Sequence, residues 1–155
     1  MNESPVRPFA PEGDNYRWTG VEPLRYKEAA SAPFRDVTRQ TLFRRPDLRG
    51  ELRYFEVAPG GHSTLERHEH VHAVMVLRGT GTALVGDTVF PVGTFDLVTV
   101  PPATWHQFRA STEAPLGFLC MVDAERDKPE LPDARELARL RGNPAAAAFL
   151  DDSHE

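Results

Sequence analysis

Glu66, His68, His70 and His72 stand at every second position of the run Glu66-Arg67-His68-Glu69-His70-Val71-His72, and all four are metal-binding residue types. Three of the chain's six histidines fall in that run. Side chains on a strand alternate faces, so the four would point the same way. A solvated strand face can also carry such a cluster. A fourth histidine, His106, follows the apolar stretch Phe95 to Val100 and the rigid turn Pro101-Pro102-Ala103-Thr104-Trp105. One divalent transition metal is the economical reading, and imidazole suits Fe, Mn, Ni, Cu and Zn alike.

These residues resemble the two motifs of the cupin superfamily, whose small β-barrels carry a single metal. The first motif runs glycine, five residues, histidine, any, histidine, three or four residues, glutamate, six residues, glycine. Gly60, Glu66, His68, His72 and Gly79 fit that register without a gap, with the first histidine and the glutamate exchanged. The second motif runs glycine, five residues, proline, any, glycine, two residues, histidine, three residues, asparagine. Phe95, Pro101, Ala103, His106 and Ala110 occupy those places, so the proline and histidine match while both glycines and the asparagine do not. The resemblance spans Phe34 to Asp123. It implies an all-β, cupin-like antiparallel β-barrel (a double-stranded β-helix or jelly roll) holding its metal with Glu66, His68, His72 and His106. Four protein ligands on an octahedral ion leave two positions for water, dioxygen or substrate.

Distance constrains either choice of ligands. At about 3.3 Å per residue, Glu66 and His72 would lie about 20 Å apart on a straight strand, so a bend between His68 and His72 is required. The rival set, His68, His70 and His72 with His106, spans about 13 Å if straight and needs curvature as well. In the first register His70 stands beside the site; in the second it is a ligand.

The elements that must position these groups read as short strands. Phe34 to Phe43 alternates, a turn around Pro46-Asp47 and Arg49-Gly50 leads into Leu52 to Ala58, and Pro59-Gly60-Gly61 is expected to end that strand. The ligand strand continues as Val74-Met75-Val76-Leu77. Gly86-Asp87 is a hairpin signal between Gly79 to Val85 and Thr88 to Val92. Leu97 to Val100, His106 to Arg109 and Leu116 to Val122 complete the series. Asp96 is expected to fix a turn through backbone amides, and His62 to face solvent in a turn. Residues 1–33 form an irregular arm that Tyr16 and Trp18 can anchor, either as a loose tail or packed across a partner subunit. Residues 34–123 form the barrel and 124–155 a helical extension. Within the extension, Asp133 caps, Leu137 and Leu140 share a face, Gly142 stops the first helix, and Asn143-Pro144 starts a second through Leu150. Such helices cover a sheet face or form a lid.

Composition narrows partners. A formal net charge of -5 without any basic run argues against nucleic acid, and no apolar stretch is long enough for a membrane span or a signal core. A cytoplasmic protein is expected; the single cysteine excludes an intramolecular disulfide. Cys120, in the apolar run Gly117 to Met121, is either a buried thiol or one that reaches the pocket, and Trp105 either packs at the rim or walls a substrate. His154, in the polar C-terminal tail, is assigned no role. The resemblance implies a homodimer. Two function classes stand: a mononuclear metalloenzyme acting on a small oxygen-bearing substrate (dioxygenase-like, or an isomerase or lyase), and a non-catalytic small-molecule-binding or sensor module.

Overall fold

Period-two alternation of apolar side chains becomes a set of antiparallel strands in the computed structural model, which describes residues 4–25 and 35–152. Phe34 and His154 lie outside the described residues. The strands are β1 (Leu24–Arg25), β2 (Arg35–Arg44), β3 (Gly50–His62), β4 (His72–Arg78), β5 (Thr80–Val85), β6 (Thr88–Gly93), β7 (Leu97–Val100), β8 (His106–Ala110) and β9 (Leu116–Asp123). They form one curled sheet in the order β6-β5-β8-β3-β9-β4-β7, with β2 also paired to β3 and β1 to β2. The Gly86-Asp87 turn closes the β5–β6 hairpin, with Val85 opposite Thr88 and Gly86 at φ +67°.

Two expectations about strand ends are corrected. Pro59-Gly60-Gly61 does not end its strand: β3 runs through it to His62, which pairs with Arg109 of β8. Gly60 at φ +73° lets the chain jog without leaving the sheet, and the β2–β3 register shifts at this point. His62 accordingly sits half-buried at a strand end beside Gln107 (3.2 Å) and does not point freely to solvent. The ligand run is not one strand either. Residues 63–71 form a loop with only bridges at Glu66 and Arg67, and β4 begins at His72.

The interior of the curl is apolar, built from Phe55, Val57, Val74, Val76, Phe108, Leu116 and Phe118 among others. Side chains of opposite parity on the same strands face outward. Tyr54 packs there against Tyr16 and Trp18 (ring centroids 5.9 and 4.9 Å), and Gln40 donates to the Tyr16 carbonyl at 2.9 Å. Within the described part of the arm, Phe9 bridges to Trp18, Glu12 to Asn15, and β1 adds to the sheet.

After the sheet come α1 (Ala134–Arg141) and α2 (Pro144–Asp152). Asp133 accepts the Glu136 amide at 2.8 Å, the expected N-cap. Leu140, Phe149 and Leu150 bury against Leu65, Leu84 and Trp105, so the helices cover an outer face of the sheet. Among the described residues no helix is long and apolar enough to cross a membrane.

Candidate metal centre

The loop 63–71 is held on two sides. On one, Glu66 and His106 exchange backbone hydrogen bonds (3.2 and 3.0 Å), and the Ala103 amide of the diproline turn donates to the His68 carbonyl at 2.7 Å. On the other, Arg67 and Glu130 exchange backbone bonds of 3.1 and 2.8 Å. The bend that the ligand spacing demands falls at Glu69 and His70. Asp127 makes it: its carboxylate accepts the Glu69 amide at 2.8 Å, the His70 amide at 3.3 Å and the His70 ring at 2.7 Å. Desolvation opposes ionisation of this group, yet the two amides and the ring hold it at about 2.

That bend brings His68 back over His72. Their rings stack 4.2 Å apart and nearly parallel, with Nε2 atoms 2.5 Å from each other. His106 comes in from β8, its ring tilted 66° and 70° to the other two. All three are buried, and each offers a ligand nitrogen within 4.8 Å of the others. Each Nδ1 is already engaged: with the His70 carbonyl for His68 (2.8 Å), the Thr104 carbonyl for His106 (3.0 Å) and the Cys120 sulfur for His72 (3.3 Å). A metal-binding imidazole needs its second nitrogen fixed in this way, and the arrangement leaves every Nε2 for an ion. Burial lowers the pKa of His68 to about 4 and that of His72 to about 2, helped by neighbouring histidines. Both are thus neutral imidazoles near pH 7, the form that a metal requires. On donor chemistry, the residues fit a divalent transition metal.

Glu66 and His70 are placed differently from this trio, and neither belongs to the converging cluster. Glu66 is buried on the wall of the same cavity. His70 stacks on His68 at 3.7 Å and turns its Nδ1 to Asp127. Cys120 is both buried and on the cavity wall, and burial pushes its thiol pKa up against the lowering charge of Arg53. Trp105 is on the opposite face of β8's approach. It packs under α1, donates to Glu136 at 3.2 Å and carries Arg67 over its ring at 4.5 Å. It does not line the cavity beside the histidines.

Two residues of this site were missed in the sequence. Asp127 lies in a segment without periodicity, and Arg53 reads there as one more strand charge. The short polar stretch from Ala124 to Lys128 after the last strand is the hint that a clamp could come from that side. A larger hollow of ≈ 1230 Å³ lies between the β5–β6 hairpin and α2, away from the histidines.

The match to known proteins is extensive. The Cupin_2 model (cupin domain) fits residues 53–122. A protein of Rhodospirillum rubrum described as 1-methylthio-D-xylulose 5-phosphate methylsulfurylase is 63% identical over 145 residues, 94% of this chain and 93% of its own. The chain belongs to the cupin family. This cupin superimposes with a TM-score of 0.86 on the crystal structure of Rru_A2000, a cupin-2 domain of R. rubrum, at 61% identity over 96% of this chain and 100% of that one. A cupin 2 conserved barrel domain protein of Rhodopseudomonas palustris gives the same TM-score, 0.86, at 55% identity over 93% and 97% of the two chains. The antiparallel barrel expected from the motifs is thus the fold of this cupin, with three histidines positioned to bind a metal.

Proposed function

We propose that this cupin is a metal-dependent enzyme that takes the methylthio group from 1-methylthio-D-xylulose 5-phosphate or a close analogue. The observation that carries the reading is a thiol at the metal centre: Cys120 Sγ stands 3.3 Å from His72 and lines the cavity with His106. The relative described as a methylsulfurylase, 63% identical, names the sulfur-bearing substrate.

In that substrate the C1–S bond lies next to the C2 carbonyl. His68, His72 and His106, with Glu66 as the proposed anionic ligand, would hold a divalent ion, and when bound that ion would supply Lewis acidity. His72 Nδ1 keeps its hydrogen when Nε2 is a ligand, and directs it at the Cys120 sulfur, which favours the thiolate. Attack of that sulfur on the methylthio sulfur forms an S–S bond and breaks C1–S. The electron pair of the broken bond moves toward C1 and the C2 oxygen. The proton lost by the thiol is balanced by one gained at C1, giving a 1-deoxy ketose phosphate. Cys120 is left as a methyl disulfide, which a small external thiol removes by exchange.

Single turnover without external thiol tests this. One equivalent of 1-deoxy product per chain and a methylthio adduct on Cys120 by intact mass are expected, with or without dioxygen. Full activity in Cys120→Ala, or strict dependence on dioxygen, refutes it; the latter outcome returns weight to the dioxygenase version of the enzyme.

A further inference from the structure

We propose that Arg53 and Thr64 form an anchor for the phosphate of a phosphate monoester substrate inside the cavity at the metal centre. The inference uses the substrate reading above only to name the phosphate carrier; the anion site itself stands on geometry.

Arg53 is 6% exposed and lines the cavity together with His72, His106 and Cys120. Its Nε has no hydrogen-bond partner, its Nη2 donates to the Cys120 sulfur at 3.8 Å, and its Cζ lies over the Phe55 ring at 4.9 Å. Thr64 is 2% exposed, lines the same cavity, and its Oγ1 is also without a partner. Buried polar atoms are almost always satisfied, so two orphans on one cavity wall point to something that binds there. The cavity measures ≈ 40 Å³, room for about three waters or one tetrahedral oxyanion.

Charge selects an anion. Arg53 pairs with Glu51, 4.0 Å from its Nε, and Glu51 is also shared with Arg126 at 3.4 Å and Arg44 at 3.8 Å. Glu66, the carboxylate that lines the cavity itself, is the proposed partner of the divalent ion, and the one buried carboxylate of Glu51 facing three guanidiniums leaves positive charge over. The guanidinium is a planar fork that fits two oxygens of a phosphate at once, and a neighbouring hydroxyl donates to a third. Arg53 also stands directly across the β3–β9 ladder from Cys120, so an anion held there lies beside the thiol.

The test uses inorganic phosphate and the purified protein with its metal. Calorimetric titration at constant ionic strength, with chloride as control, should show saturable phosphate binding to the wild type. Arg53→Lys, which keeps the charge without the fork, and Thr64→Val, which removes only the hydroxyl, should each weaken it about tenfold, the scale of a lost hydrogen bond to a charged group. Metal content should stay at the wild-type level in both. No phosphate binding by the wild type, or equal affinity in all three proteins, overturns the anchor. Steady-state kinetics with 1-methylthio-D-xylulose 5-phosphate separates the two proposals. Phosphate binding lost in the variants but no turnover by the wild type sinks the substrate reading and keeps the anion site. Turnover with KM unchanged in both variants does the reverse.

Discussion

At the residue scale, the decisive arrangement is three imidazoles whose Nδ1 atoms are already occupied, so that each presents Nε2 to a common point. The fourth ligand is the open chemical question, and Glu66 and His70 answer it differently. Glu66 lies on the cavity wall, where as the proposed ligand its negative charge would offset a divalent ion, whereas His70 is turned to Asp127. Glu66→Gln should therefore weaken metal binding more than His70→Ala does. Affinity measured on the two variants side by side decides: loss of metal in His70→Ala with normal binding in Glu66→Gln makes the four-histidine set correct. Asp127 yields a separate prediction. It touches no ligand nitrogen of the trio but holds the bend beneath them, so Asp127→Ala should cost about 10 to 100-fold in metal affinity while leaving the spectrum of a bound Co²⁺ probe unchanged in type. A changed coordination spectrum would show instead that the ligand set itself had moved.

At the scale of elements, the departures from the second cupin motif become legible as backbone geometry. Phe95 and Ala103 stand where the motif has glycine, and both adopt left-handed φ, +71° and +55°. The turns are kept although the residue suited to them is gone. Phe95 is held by the Val76 carbonyl at 2.7 Å, and Asp96 accepts the Gly93 amide at 2.8 Å, as expected of a turn-fixing carboxylate. Ala103 is held by its bond to His68. An L-residue in this region is strained by about 1–2 kcal/mol, from which the greater unfolded-chain entropy of glycine subtracts about 0.4–1 kcal/mol. Ala103→Gly should therefore raise stability by on the order of 0.5–1 kcal/mol, read from urea denaturation. A decrease would mean that the methyl group packs usefully in the turn.

For the whole molecule, burial of the histidines couples the fold to pH. In the unfolded chain His68 and His72 take up protons near 6.5; in the fold they do so only near 4 and 2. Between those values the unfolded state binds more protons, so the contribution is complete above about pH 6.5 and is lost as the pH falls through this window. Metal-free protein should lose stability steadily from pH 6.5 down to 4, and His72→Gln should flatten that slope. A slope unchanged by the substitution would assign the acid sensitivity to other groups. Metal bound only by the native state adds RT ln(1 + [L]/Kd), about 3 kcal/mol at a hundredfold excess over Kd, so a strong chelator should lower Tm of the metal-loaded protein. An identical Tm on protein shown to contain metal would contradict the site.

Much of this was legible in the sequence because it is local. The ligand types, the period-two strands, the Gly86-Asp87 hairpin and the Asp133 cap each follow from neighbours a few residues apart. Even the need for a bend between His68 and His72 followed, from strand rise alone. The strand end placed at Pro59-Gly60-Gly61 failed because breakers mark a jog as readily as a stop, and only the partner strand distinguishes them. What the tertiary structure decided is which distant groups meet. Asp127 reaches His70 across 57 residues, and Arg53 reaches Cys120 across 67. The face that Trp105 takes was set by helices that follow it in the chain. Curling a sheet brings together strands far apart in sequence, and no periodicity along a single strand records which side chain will stand across from it.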